Sequence, residues 1–317
     1  MIREEKLRVV DANLLFLAGS ILFFTIGFYA QTREIFTGLL ITQLAVVLLP
    51  AIGLLEIKKM DIKSTLRLYP LTWKQIILVI LITIFMYPSA VFGNLLVMNV
   101  LIQFGEINIP QIPAATNMTE YLRLVFIVSL VAGVCEEVLF RGVILRGYEK
   151  LGNIKAVMFT SLLFGIFHYN IYNLLGPMVL GIVFGSLVLL TKSLWAGIIG
   201  HVFNNLLAIS IGYFFLLFDD YIPDKEIAEA GATIQESLYA SLIVFGGLAV
   251  LGIAISFFLW RHLKLISHTL LEEGVGSENS LDQQERTSLM EFIPLTGAIP
   301  LFLYIIVWQI SMVLSSS

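Results

Sequence analysis

The chain has 317 residues, 58% of them hydrophobic and 13% charged, with a mean hydropathy of +0.91. Soluble domains carry roughly 45–50% apolar and about 25% charged residues, so this chain has too little polar surface to cover a globule in water and its bulk belongs in lipid. The net charge of -4 shows no basic excess and gives nucleic-acid binding no support, and the single cysteine, Cys135, excludes an intrachain disulfide framework.

Apolar runs of spanning length follow one another along the chain. The first, 12–31, comes after Arg3, Lys6 and Arg8. It is too long for a signal-peptide core, Glu4 and Glu5 interrupt its basic flank, and no small-x-small cleavage site lies near Ala30. It reads as a retained helix. Further runs cover 35–56, 76–102, 122–146, 155–172, 175–191, 194–217, 238–260 and 293–314. Pro88 inside the third predicts a kink or a tilt, and Pro177 sits near the start of the sixth, where its missing N–H costs little. The expected fold is all-α, a polytopic bundle of about eight core spans with one more at the C-terminal end. Residues 263–291, with EEGVGSENSLDQQERT at their centre, read as a flexible juxtamembrane linker. The span at 293–314 then reads as an appendage to a transmembrane domain over 1–262.

Basic residues alternate with the spans. Lys58, Lys59, Lys63, Arg67 and Lys74 follow the second. Arg146, Lys150 and Lys155 follow the fourth, Lys192 the sixth, and Arg261 and Lys264 the eighth. The 103–121 segment has no Lys or Arg, and the 218–236 loop is acidic. Counting spans places every basic loop on the side of the N-terminus, which is therefore expected in the cytoplasm, in a multi-pass protein of a prokaryotic cell membrane.

Ionisable groups inside a span are costly and mark function or pairing. The set here is small: Glu136, Glu137 and Arg141 in the fourth span, His168 in the fifth and His201 in the seventh, with Asn204 and Asn205 one turn on. Glu137 and Arg141 are four apart with the acid first, the favourable order for a pair on one face. Glu136 is five residues from Arg141, which turns it roughly 140° away and leaves it without a cation on its own helix. Such a carboxylate can serve as a general base, and a neighbouring histidine can share the water. His201 and Asn205, also four apart, form a donor pair suited to the oxyanion of a tetrahedral intermediate. These parts suit attack of water on an amide. Rise along ideal helices puts Glu136 about 15 Å, His168 about 20 Å and His201 about 10 Å from the inner ends of their spans, so a tilt or bend in the fifth span is needed to bring them level.

The ordered pattern Glu136-Glu137-x-x-x-Arg141, Phe164-x-x-x-His168 and His201-x-x-x-Asn205, on three separate spans, resembles the CPBP family, which includes type II CAAX prenyl endopeptidases of the Ras-converting type and bacterial relatives linked to bacteriocin immunity. The resemblance covers roughly residues 120–210. It implies an intramembrane peptidase in which Glu136 activates water with help from His168, His201 and Asn205 stabilise the oxyanion, and Glu137, Arg141 and Phe164 support them. It implies as partners the bilayer and a membrane-associated or lipidated peptide. Glu136, His168 and His201 would also make a zinc set with an open position, whereas the family leans toward metal-free hydrolysis, and the sequence leaves both open. The soluble-type H-E-x-x-H signature is absent.

Blander readings exist for each residue. His168, before Tyr169 and Asn170, has the look of an interfacial histidine when taken alone, and His201, Asn204 and Asn205 are of the kind that glue helices together. Cys135, buried among apolar residues, is expected to be inert. A proton-coupled transporter using the same groups as a relay, or a non-catalytic scaffold or immunity protein, are the competing functions. Paired broken helices would favour the first, loss of a motif residue the second, and the sequence offers only Pro88 and an intact motif.

Overall fold

In the computed structural model, residues 6–107, 115–218, 234–272 and 287–315 are described. These residues form helices and no strand. Nine rods carry the architecture: α1 (Val9–Arg33), α2 (Ile35–Ile57), α3 (Trp73–Leu101), α4 (residues 118–148), α5 (Asn153–Ile166), α6 (Leu175–Thr191), α7 (Leu194–Phe218), α8 (Ile234–Glu272) and α9 (Leu295–Leu314). Seven segments are long and apolar enough to cross a membrane, and α4 and α5 lie outside that set. The protein is a polytopic membrane bundle, as its composition demands. α4 is the most deeply buried rod, with Val143, Ile144, Leu145 and Tyr148 fully enclosed, because α1, α2, α5 and α7 all pack around it.

Short polar devices set the helix ends. Glu34 accepts from the backbone N–H of Phe36 and Thr37 (3.0 and 2.6 Å) and starts α2 directly after α1. The Thr37 side chain, followed by these backbone bonds, holds its carboxyl below the usual range. Gly38 makes this hairpin possible, since a Cβ there would run into the backbone of Gln31. At the opposite end of the bundle an ionic cluster ties loop to helix: Lys58 to Asp11 at 3.2 Å, Arg67 forked onto Glu149 at 2.6 and 2.7 Å, and Lys150 to Glu291 at 2.8 Å. Planar two-point pairing of this kind is what arginine supplies best.

α3 runs unbroken through Pro88. The proline cannot donate to Ile84, and α8 covers this stretch closely: Gly252 lies against the Phe85 carbonyl where any Cβ would collide. Gln75 to Ser267 (3.1 Å) and Asn99 to the Leu238 carbonyl (3.3 Å) fix the two rods antiparallel along their length. α8 has 39 residues, about 58 Å at 1.5 Å per residue. It stays helical ten residues past the start expected for the linker at 263. Residues 273–286 of that linker, the acidic loop at 219–233 and part of the 103–121 segment lie outside the described residues, and the linker's last residues open a 3-10 turn at Leu289–Phe292.

The fifth span differs most from expectation. The apolar run continues to 172, but α5 stops at Ile166 after 14 residues, about 21 Å, short of a bilayer's hydrocarbon core of about 30 Å. Tyr169 turns the chain at φ 48°, a brief 3-10 turn follows at Ile171–Asn173, and α6 leads away. Irregular backbone of this kind is tolerated in a membrane protein only where other groups satisfy it. Asn170 accepts from Tyr172 N–H (2.9 Å), and Asn94 of α3 accepts from Gly176 N–H (2.7 Å) while donating to Asn173 (2.8 Å). Gln309 of α9 accepts from Ile171 N–H (2.8 Å) and donates to the Tyr169 carbonyl (3.0 Å). The C-terminal rod is therefore no appendage. It is pinned to α1 by Glu291, which accepts from Asn13 through its carbonyl, and at its other end it holds the α5–α6 turn.

Candidate active site

The five ionisable positions singled out in α4, α5 and α7 do not all share one environment. Glu137 and Arg141 are completely enclosed and paired at 2.7 Å. The guanidinium lies over the rings of Phe164 (4.4 Å) and Phe184 (5.6 Å) and reaches the Gly181 carbonyl at 3.4 Å. Taking two charges out of water is expensive, and aromatic faces and hydrogen bonds offset part of that cost. Gly197 of α7 leaves the room: a Cβ there would collide with Glu137 Oε2.

Glu136 faces a cavity of about 640 Å³ instead. It has no Lys or Arg partner among the described residues. Its Oε1 accepts from Gln43 Nε2 of α2 at 2.8 Å, and its Oε2 lies 3.8 Å from His201 Nε2. The side chain keeps 15% exposure against 0% for Glu137, so adjacent residues of one helix sit on opposite sides of the wall. The helix is wider than α on both flanks of the pair, with π-helical turns at Val125–Val131 and Val138–Ile144. Such turns are frequent at functional sites.

Each histidine has one nitrogen committed. His201 Nδ1 lies 2.9 Å from Glu137 Oε1, and its ring stacks on Phe184 at 5.4 Å with Phe164 edge-on at 5.8 Å. His168 Nδ1 lies 2.9 Å from the Phe164 carbonyl, four residues back. A carboxylate paired with Arg141 and a carbonyl can only accept, so partner chemistry assigns a proton to both Nδ1 atoms. Both Nε2 atoms are then the working nitrogens. Phe164 thus serves each histidine, through its carbonyl and its ring.

His168, His201, Asn204 and Asn205 all line the cavity with Glu136. His168 lies just past the end of α5 and reaches the same cavity as the groups of α4 and α7. Asn205 gives one amide hydrogen to the Val128 carbonyl (2.8 Å), which ties α7 to α4, and accepts from Asn204 at 3.0 Å. Asn204 does more than glue helices: it lines the cavity, and its Oδ1 is buried without a partner. Cys135 is buried.

Gln43, Tyr87 and Asn94 are among the cavity residues that escaped the sequence reading. An amide or phenol in a span has no distinctive local signal, since such groups commonly bridge helices. Gln309, one layer behind, was hidden for the same reason. The zinc set fares differently: among the described residues no three His, Cys, Asp or Glu side chains gather to hold a metal ion. The placement of these donors therefore does not fit a zinc centre, and no step is derived through one.

Comparison with known sequences agrees with the motif. Residues 118–207 match the family model described as Rce1-like, type II CAAX prenyl endopeptidase. The matched segment holds Glu136, Glu137, Arg141, Phe164, His168, His201 and Asn205. A 94-residue stretch is 33% identical to the Bacillus subtilis (strain 168) protein named "Putative membrane peptidase YdiL", covering 29% of this chain and 38% of that one. The chain thus spans well under half the length of the curated relative it matches. No solved structure matches the chain.

Proposed function

We propose that this protein is an intramembrane endopeptidase that cleaves a peptide bond of a membrane-associated protein, with Glu136 as the base that activates water. The observation that carries the reading is the contrast between the adjacent glutamates. Glu137 is neutralised by Arg141 in full burial, whereas Glu136 is presented to a cavity that His168 and His201 also line, with no Lys or Arg partner among the described residues.

In this reading water enters beside Glu136 Oε2, and His168 Nε2 shares it. The water oxygen attacks the scissile carbonyl carbon while its proton passes to Glu136. Negative charge develops on the carbonyl oxygen. His201 in its protonated form, held by Glu137 at Nδ1, donates to that oxygen from Nε2, and the second amide hydrogen of Asn205 completes the pair. The C–N bond then breaks, and Glu136 returns its proton to the departing amine. Water is consumed, one acid and one amine are formed, and the site is restored. Glu137 acts through His201 and is a positioning residue.

The walls, among them Leu39, Val91, Leu124, Ile127 and Leu180, suit an apolar segment delivered from the membrane. A prenylated C-terminal peptide is one such substrate. The N-terminus is placed in the cytoplasm on the distribution of Lys and Arg alone. The test is cleavage in proteoliposomes of prenylated and unprenylated peptides by wild type and Glu136→Gln, with and without chelator. Cleavage by wild type alone, indifferent to chelator, is the expected result. Equal cleavage by Glu136→Gln removes the assigned base, and loss of cleavage with chelator returns a metal to the mechanism.

A further inference from the structure

Gln43 stands on α2, outside the matched segment, in a π-helical turn over Thr42–Leu48. Its Nε2 donates to Glu136 Oε1 at 2.8 Å. A carboxylate offers no proton, so the amide must present its nitrogen to Glu136 and turn its oxygen away. That oxygen, Gln43 Oε1, is buried and has no partner. Unpaired buried carbonyls are rare in proteins and call for a reason. Here the reason is visible: both halves of the amide cannot be satisfied while its nitrogen serves Glu136. A leucine would fill the position in an apolar helix at no such cost.

We propose that Gln43 is a positioning residue for the catalytic carboxylate. It holds Oε1 and leaves Oε2 toward His201 and the cavity. When the water proton arrives, an oxygen already accepting from an N–H donor is the poorer destination, so the proton lands on Oε2. That is the atom from which it must later reach the leaving amine. The proposal rests on the reading of Glu136 as the base, and it names a part of the site supplied from outside the motif.

The test uses the full-length protein with Gln43→Leu and Gln43→Glu beside wild type and Glu136→Gln. Infrared difference spectra against Glu136→Gln isolate the carboxylate bands of Glu136. Gln43→Leu is expected to move those bands, because a charge-assisted hydrogen bond is lost. It is also expected to lower kcat on the order of ten-fold with KM little changed, at an unchanged melting temperature. Gln43→Glu sets a second carboxyl against the first. The pair shares a proton, and the acid limb of the kcat profile moves to higher pH, a change that loosened packing alone does not produce. Should Gln43→Leu fail to insert, Gln43→Asn, one methylene shorter, reads the same contact. Unmoved Glu136 bands overturn the proposal whatever the cleavage result. Bands that move in a protein that cleaves nothing uphold the contact and sink the hydrolase reading instead.

Discussion

The segment from 118 to 207 and the helices around it contribute different chemistry to one cavity. The segment supplies the carboxylates, the guanidinium and the imidazoles in and behind the cavity wall: Glu136, Glu137, Arg141, His168 and His201. The surrounding helices supply neutral amides, Gln43 from α2, Asn94 from α3 and Gln309 from α9, each hydrogen-bonded to the segment. The lesson is that a charged constellation in a membrane is held by groups that carry no charge. Added ions would each bring a desolvation cost, while an amide gives direction at far less.

The largest expected effect lies inside the segment. Glu136→Gln keeps the shape, the Gln43 contact at Oε1 and the fold, and is expected to lower cleavage on the order of 10²–10⁴-fold, the range of a general base. Steady-state assays on reconstituted protein read this directly. Next comes the enclosed pair. Arg141→Met leaves the buried Glu137 with His201 as its remaining partner and without its arginine, so a loss of roughly 3–5 kcal/mol is expected in denaturant unfolding, with partial recovery in the double variant Glu137→Gln/Arg141→Met. Full additivity of the two changes would deny the pairing.

Outside the segment the effects should be smaller and of another kind. Gln309→Leu orphans Ile171 N–H and the Tyr169 carbonyl, at about 1–3 kcal/mol for each buried group left unpaired. Exchange of the Ile171 amide with deuterium should accelerate, and kcat should fall, because His168 stands beside the freed turn. An unaltered exchange rate would break the link between α9 and the site. Least of all, Lys150→Met severs the pair with Glu291 at the bundle's end. That pair is partly exposed, and about 1 kcal/mol or less is expected, with cleavage unchanged. If it mattered as much as Gln309, α9 would be held by its near end and not by the turn.

The same division explains what could be read in the sequence. The nine apolar runs appear as nine rods among the described residues, and the ionisable residues announce the site because their cost in lipid makes them conspicuous. The end of α5 was not legible. Phe167, Tyr169, Ile171 and Tyr172 keep the run apolar, so hydropathy carries the helix on to 172, and the turn is stabilised by Asn94 and Gln309, which are distant in sequence. The boundary of α8 was misplaced because Arg261, His262 and Lys264 look like the end of an apolar span, while Leu263, Leu265 and Ile266 among them continue as helix to Glu272. Gln43 is invisible to any local rule: between Thr42 and Leu44 it reads as one more polar residue in a span, and only its contact with Glu136 gives it meaning.

The central claim is that two neighbouring glutamates divide chemistry from structure, and Glu136→Gln and Glu137→Gln measured side by side test it most directly. Cleavage in proteoliposomes and thermal unfolding would be followed on both. The expected result is a Glu136→Gln protein that melts with wild type and does not cleave, and a Glu137→Gln protein that melts early. A Glu136→Gln protein that unfolds early, or one that cleaves at the wild-type rate, contradicts the account.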